Sequence, residues 1–285
     1  MVTRHSTESR APAPPGRVVR CLRRLVPVGI AFSLLAACFG SDAKSPQGDP
    51  LAMSRSKYDM ATDLWLRQGR PREALEHALE AVELDDENFE AAHLVALIYL
   101  DFCRQSSTDC RLAEAERFAR RAVEIEPEFR EGKNTLGVVL IHRKRFDEAI
   151  AILKPLTADI LYQTPENAWG NLGWAYLESG RLKLAIDALR RSVAAQPLFC
   201  VGNYRLGLAY ERNGQPRLAL EAFTRALETD DPRCKRMQAA YAARGHVQLR
   251  LGAREPARED FERCAKMSST TDAGKECSSM LGKLK

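Results

Sequence analysis

The sequence predicts an all-α solenoid of paired helices closed by a short cap helix. Three observations predict it. One pattern of small and aromatic residues recurs with a period of about 34 residues from residue 55 to residue 271. Within each copy the apolar residues fall at helical spacing in two blocks separated by a glycine or a polar turn. A unit of this size cannot bury its own apolar face, so a stable fold needs consecutive units to share one core.

The clearest copy lies at 166–199. It reads Trp169-x-x-Leu172-Gly173-x-x-Tyr176, then Ala185-x-x-x-Leu189, then Pro197. The next, 200–233, has Leu206, Gly207, Tyr210, Gly214, Ala219, Phe223 and Ala226 at the same offsets. Residues 130–163 carry Leu136, Gly137, Leu140, Ala149 and Leu153, and residues 238–271 carry Tyr241, Gly245, Gly252, Ala257 and Phe261. Residues 55–88 have Trp65, Gly69, Ala74, Ala78 and Ala81. The copy at 89–129 has Ala96, Tyr99, Ala115, Ala122 and Pro127, and is seven residues too long.

Small residues such as Gly173, Gly207, Ala185 and Ala219 suit positions where two helices approach closely. Tyr176 and Tyr210 fill space between helices, and Pro127 and Pro197 stop a helix because proline cannot continue its hydrogen-bond ladder. The pattern resembles the tetratricopeptide repeat. The resemblance implies a right-handed superhelical solenoid of six repeats, followed by a cap helix over 272–285 with Asp272 at its N-cap.

The first 37 residues differ from the rest. Arg17, Arg20, Arg23 and Arg24 precede an apolar run from Leu25 to Ala37, too short to cross a bilayer but suited to a signal-peptide core. The run ends Leu35-Ala36-Ala37-Cys38, which resembles the lipobox of bacterial lipoproteins and implies lipidation at Cys38 after cleavage of residues 1–37. Phe39 is permissive for the outer membrane, so a lipid-anchored, periplasm-facing outer-membrane protein is expected. Residues 38–54, rich in Gly, Ser, Asp and Pro, read as a flexible tether.

The formal net charge is +5, and the segment 1–37 alone holds six Arg against one Glu. What remains is balanced, which excludes nucleic-acid binding through a surplus of cations.

Of eight cysteines, Cys21 leaves with the signal peptide and Cys38 carries lipid. Export favours disulfides among the other six. They admit 15 pairings, and the repeat register selects one. Cys103 and Cys110 bracket the seven-residue excess. Cys200 and Cys234 stand one period apart, with Asp231-Pro232 able to start the next helix one turn early. Cys264 and Cys277 tie the last repeat to the cap.

In this repeat type the first helix of each pair lines a concave face. The corresponding positions hold Leu97, Leu100, Val138, Ile141, Trp174, Leu177, Tyr204 and Leu208, with polar Asn134, Asn167, Glu211 and Arg212. Leu249 falls at such a position too. An apolar groove with polar edges suits a peptide segment of another protein. Trp169, the motif tryptophan, reads as core, and Trp174 as the better exposed contact.

No Gly-x-Ser-x-Gly elbow, His-Glu-x-x-His pair or glycine-rich phosphate loop occurs. His93, His142 and His246 fall on groove-type positions at different offsets and form no metal motif. The sequence therefore predicts a binding protein without catalysis, cofactor or metal.

A short lipoprotein built almost wholly of such repeats, with a Cys200/Cys234 pair one period apart, resembles the type IV pilus pilotins, the PilF, PilW and Tgl lipoproteins. The resemblance covers residues 38–285. It implies that the protein binds secretin subunits, promotes their outer-membrane localisation and multimerisation, and supports pilus assembly and motility. The Cys103/Cys110 insertion and the Cys264/Cys277 pair depart from the family pattern. A scaffold lipoprotein recruiting cell-wall enzymes is the competing reading.

Overall fold

The computed structural model describes residues 48–105 and 108–284. The expected signal peptide, the lipobox-like string ending at Cys38 and most of the expected tether lie outside these residues. Fourteen α-helices and no strand occur among the described residues. Twelve of them form six consecutive pairs: α1 (Pro50–Leu66) with α2 (Pro71–Leu84), α3 (Phe89–Gln105) with α4 (Leu112–Ile125), α5 (Arg130–His142) with α6 (Phe146–Leu156), α7 (Pro165–Glu178) with α8 (Leu182–Ala195), α9 (Cys200–Arg212) with α10 (Pro216–Leu227), and α12 (Gln238–Arg250) with α13 (Arg254–Met267). A single turn, α11 (Pro232–Lys235), precedes α12, and α14 (Asp272–Lys283) ends the array.

The second helices show why the motif alanines recur. Ala74, Ala78 and Ala81 on α2, Ala115, Ala119 and Ala122 on α4, and Ala219, Ala222 and Ala226 on α10 lie at three- and four-residue steps, and all are buried. They form a smooth apolar stripe against which the first helices settle. The motif glycines sit opposite one large side chain of the second helix. A Cβ on Gly173 would stand 2.5 Å from Leu189 Cγ and 3.2 Å from the Leu189 backbone nitrogen. Leu153, Leu189, Phe223 and Phe261 fill the matching positions, and all are fully buried.

The turn between paired helices requires a left-handed residue. Gly69, Gly180, Gly214 and Gly252 supply it, with φ from 64° to 80°, while Lys144 at φ 60° holds the same position between α5 and α6.

Each second helix packs on its own first helix and on the first helix of the next pair. First helices also touch one another along the array (α1 on α3, α3 on α5, α5 on α7, α7 on α9, α9 on α12), whereas no second helix packs comparably on the next one. Closer spacing of the first helices places them on the inside of the curve.

Three boundaries differ from the sequence expectation. The first helix begins at Pro50, with the Asp49 side chain accepting the Leu51 amide, so residues 50–54 are helix and not tether. Ser54 is buried and donates its hydroxyl to Ala81 O at 2.7 Å, which fixes that extra turn on α2. The N-cap of α14 is Thr271, whose Oγ1 accepts the Gly274 amide at 3.1 Å, and Asp272 is the first helical residue. Asp231 does cap a helix at Pro232, but α11 stops at Lys235 and is not continuous with α12.

Disulfides join Cys103 to Cys110, Cys200 to Cys234, and Cys264 to Cys277. The first closes the enlarged turn between α3 and α4. The second holds α11 on the start of α9. The third fixes α14 on α13, where Met280, Leu281 and Leu284 cover the terminal apolar cluster around Phe261.

Candidate protein-binding groove

The inner face is built from α3, α5, α7, α9, α12 and α14. Residues four or five places into each first helix and four further on point the same way, because four residues make slightly more than one turn. Leu97, Val138, Trp174 and Leu208 therefore form one row, with Asn134 and Tyr204 in the row before it. All six are half-buried, as are Asn167 and Glu211, and Arg212 is exposed.

Leu100, Ile141 and Leu177 are not groove contacts. They are 9%, 3% and 1% exposed and belong to the core. Three residues beyond the Leu97–Leu208 row turns the side chain about 60° back, off the open face and into the seam between helix pairs. Leu249, at the same position of α12, is half-buried against the terminal cluster.

Trp169 is half-buried, with the Arg191 guanidinium 4.9 Å from its ring centroid. Trp174 lies between two groups that sequence spacing alone does not bring together. The His142 ring meets it edge-on at 5.0 Å, and the Arg205 guanidinium lies 4.3 Å from its centroid. Burial lowers the His142 pKa, with Arg205 and Arg104 adding to the effect, so the ring is neutral at pH 7.

A polar ladder links successive first helices beneath the apolar row. His93 Nε2 lies 2.8 Å from Thr135 Oγ1. Asn171 Nδ2 donates to Asn134 Oδ1 at 2.9 Å, and Arg205 Nη1 donates to Asn171 Oδ1 at 2.8 Å. Burial drives the His93 pKa down to about 4, and that ring meets Phe129 edge-on at 4.9 Å. Thr135, Asn171 and Arg205 escaped the sequence reading, which sampled the second, fifth, ninth, twelfth and thirteenth positions of the repeat and passed over the sixth. The visible signal was a polar residue at position six in three successive repeats.

At the C-terminal end, a hollow of about 300 Å³ lies between α9, α12 and α14, bounded by Tyr204, Glu211, His246 and Glu276. His246 Nε2 stands 2.8 Å from Glu276 Oε1. No cluster of His, Cys, Asp and Glu that suits a metal ion occurs among the described residues, and no described helix is long and apolar enough to cross a membrane.

Residues 166–197 and 204–269 match models of the tetratricopeptide repeat. No curated protein sequence matches the chain. Among solved structures, PilW, a widely conserved type IV pilus biogenesis factor, aligns with TM-score 0.64 and 24% identity over 78% of this chain and 96% of its own. PilF of Pseudomonas aeruginosa aligns with TM-score 0.60 and 14% identity over 82% of this chain and 100% of its own. A tetratricopeptide repeat protein of Parabacteroides merdae gives TM-score 0.66 at 17% identity over 84% and 87%. The likeness at these identities is one of fold, and with the matched repeats it makes the described chain a tetratricopeptide-repeat solenoid.

Proposed function

We propose that the protein is an outer-membrane pilotin, a lipoprotein that holds secretin subunits and promotes their localisation and multimerisation for type IV pilus assembly. The observation that carries this reading is the end-to-end likeness to PilW, a type IV pilus biogenesis factor, 96% of whose chain is covered. The likeness to the whole of PilF supports it, as does the lipobox-like string ending at Cys38.

The physical scheme is simple. Acyl chains on Cys38 hold the protein at the membrane, since each buried CH₂ contributes about 0.8 kcal/mol and two or more chains anchor stably. The eleven steps of chain from Cys38 to Asp49 reach at most about 40 Å, which keeps the groove close to the surface where secretin must assemble. The row Leu97, Val138, Trp174 and Leu208 buries apolar side chains of a bound segment, and the polar ladder fixes its direction. Binding a subunit by one segment leaves its remaining surfaces free to meet other subunits.

Deleting the gene tests the reading. Denaturant-resistant secretin multimers should disappear while secretin monomers persist. Multimers at wild-type level in the deletion strain reject it.

A further inference from the structure

The concave face contains a cation that the architecture of the groove does not require. Arg205 is the sixth residue of α9. Its Nη1 donates to Gly170 O at 3.2 Å and to Asn171 Oδ1 at 2.8 Å, and its guanidinium lies 4.3 Å from the centroid of the Trp174 ring. Nε and Nη2 meet no acceptor among the described residues. No carboxylate there lies within ion-pair distance of it, either.

The neighbouring arginines of the same face differ. Arg212 pairs with Glu178 at 3.1 Å and Arg250 with Glu211 at 2.9 Å. Arg205 is also the more deeply desolvated, and burial lowers its pKa to about 10, with Tyr204 and Glu178 pulling it back only in part. It therefore remains charged at neutral pH. Arg205 is half-buried and has no ion-pair partner among the described residues, so a cost of burial remains that a ligand can relieve.

We propose that Arg205 anchors a side-chain carboxylate, an Asp or Glu, of the peptide segment that occupies the groove, with Trp174 as the stacking surface that orients the guanidinium. The inference rests on reading the groove as a peptide site and adds the chemistry of its occupant. The free edge of the guanidinium presents parallel N–H donors that match the two oxygens of a carboxylate. Along the array, α5 and α7 precede Arg205, and α12 and α14 follow it. A segment lying along the inner face passes it in mid-course and offers a side chain there.

The test is selection of phage-displayed short random peptides, fused through their C-termini, on the detergent-solubilised full protein. Selected peptides should share an Asp or Glu at one fixed place relative to their apolar residues. Changing that residue to Asn or Gln in a selected peptide should weaken binding about tenfold or more, as expected for a hydrogen bond to a charged group. That change is made in the peptide and does not depend on how a protein variant folds. On Arg205→Gln, which keeps an amide donor for Asn171, the same peptide change should alter affinity by less than about twofold. Selected peptides with no shared acidic position overturn the inference and leave the groove standing. Equal losses on the two proteins overturn it as well. If the folded protein selects no peptide at all, the groove reading falls and takes the inference with it.

Discussion

Two residues on α7, three places apart, should separate stability from binding. Leu177 is 1% exposed and packs with Ala185, Leu189, Leu206 and Ala209 between two helix pairs. Leu177→Ala removes three carbons, about 2.4 kcal/mol of transfer free energy, and leaves a cavity whose walls belong to helices with little freedom to close it. The total loss should be about 3–4 kcal/mol. For a chain of this size that lowers the melting midpoint by roughly 6–16 °C. Trp174 is half-buried, so Trp174→Ala should cost less, about 1–2 kcal/mol, part of it the lost contact with Arg205. Binding should rank the other way. Trp174→Ala should weaken a groove-selected peptide by about 2 kcal/mol or more, the loss expected of a central aromatic anchor. Leu177→Ala should bind normally well below its midpoint. Urea unfolding followed by circular dichroism gives the first ranking, and fluorescence anisotropy of the labelled peptide the second. The reasoning is refuted if Trp174→Ala unfolds the array more readily than Leu177→Ala. It is equally refuted if Leu177→Ala abolishes binding while fully folded.

Four other outcomes are expected. His93 is kept neutral by burial down to about pH 4, whereas an unfolded histidine titrates near 6.5. The unfolded chain binds the extra proton between those values, so His93 should lower stability by a few kcal/mol as pH falls through that window, with no further loss below it. His93→Gln should remove this component from the urea midpoint plotted against pH. Burial pushes the Glu116 carboxyl up, but hydrogen bonds and charge from Arg120 and Arg145 outweigh it and hold the pKa below the usual range. Glu116 is 6% exposed and also meets Arg143 at 3.0 Å, so Glu116→Gln, which takes this carboxylate from Arg143 and leaves Arg120 and Arg145 with Glu148 alone, should cost about 1–3 kcal/mol at pH 7 in urea unfolding. Lys144→Gly relieves a left-handed residue at φ 60° and should raise stability by about 0.5–1 kcal/mol in the same assay. Cys38→Ala should yield a folded protein that leaves the outer-membrane fraction for the soluble periplasmic one. Unchanged fractionation would show that partner contacts, not acyl chains, hold it.

The helix pairing was legible in the sequence because close packing constrains residue size. Gly173 faces Leu189 and Gly207 faces Phe223 with no room for a Cβ, so the small and large members recur at fixed offsets. Helix starts were less legible. Asp49-Pro50 carries the same signal as Asp231-Pro232, a side-chain acceptor followed by a residue without an N–H, yet the sequence reading uses only the second. Thr271 and Asp272 both offer an oxygen to the first turn of α14, and composition alone does not choose between them. The groove was half legible. Helical phase separates the ninth position from the core, but the twelfth lies near the boundary, where the neighbouring pair decides. There Leu177 is enclosed while Glu211 stays half-buried and reaches Arg250.

Charge partners across a solenoid follow a rule that the sequence could have exposed. Stacked repeats bring each residue of a first helix beside the residue one period away, so the partner of a cation should be sought 34 places upstream. Arg212 finds Glu178 at that separation, and the same step holds at the start of the second helices, where Arg181 finds Asp147. The same step from Arg205 leads to Asn171, which takes a hydrogen bond and returns no charge. An arginine whose period-mate is neutral is thus an imbalance written into the repeat register, visible before any coordinates. Structure adds what register does not: Trp174 lies under that guanidinium, and desolvation makes the imbalance expensive. Arg205→Glu is too disruptive to probe the point, but Asn171→Asp supplies the missing charge at the residue that already accepts the Arg205 hydrogen bond. If the cation awaits a partner's carboxylate, Asn171→Asp should satisfy it internally and weaken the selected acidic peptide about tenfold, with the Asn134 amide turning to donate to the new carboxylate in place of the Asn171 Nδ2 bond that is lost. Undiminished affinity in that variant would mean that the peptide's carboxylate goes elsewhere.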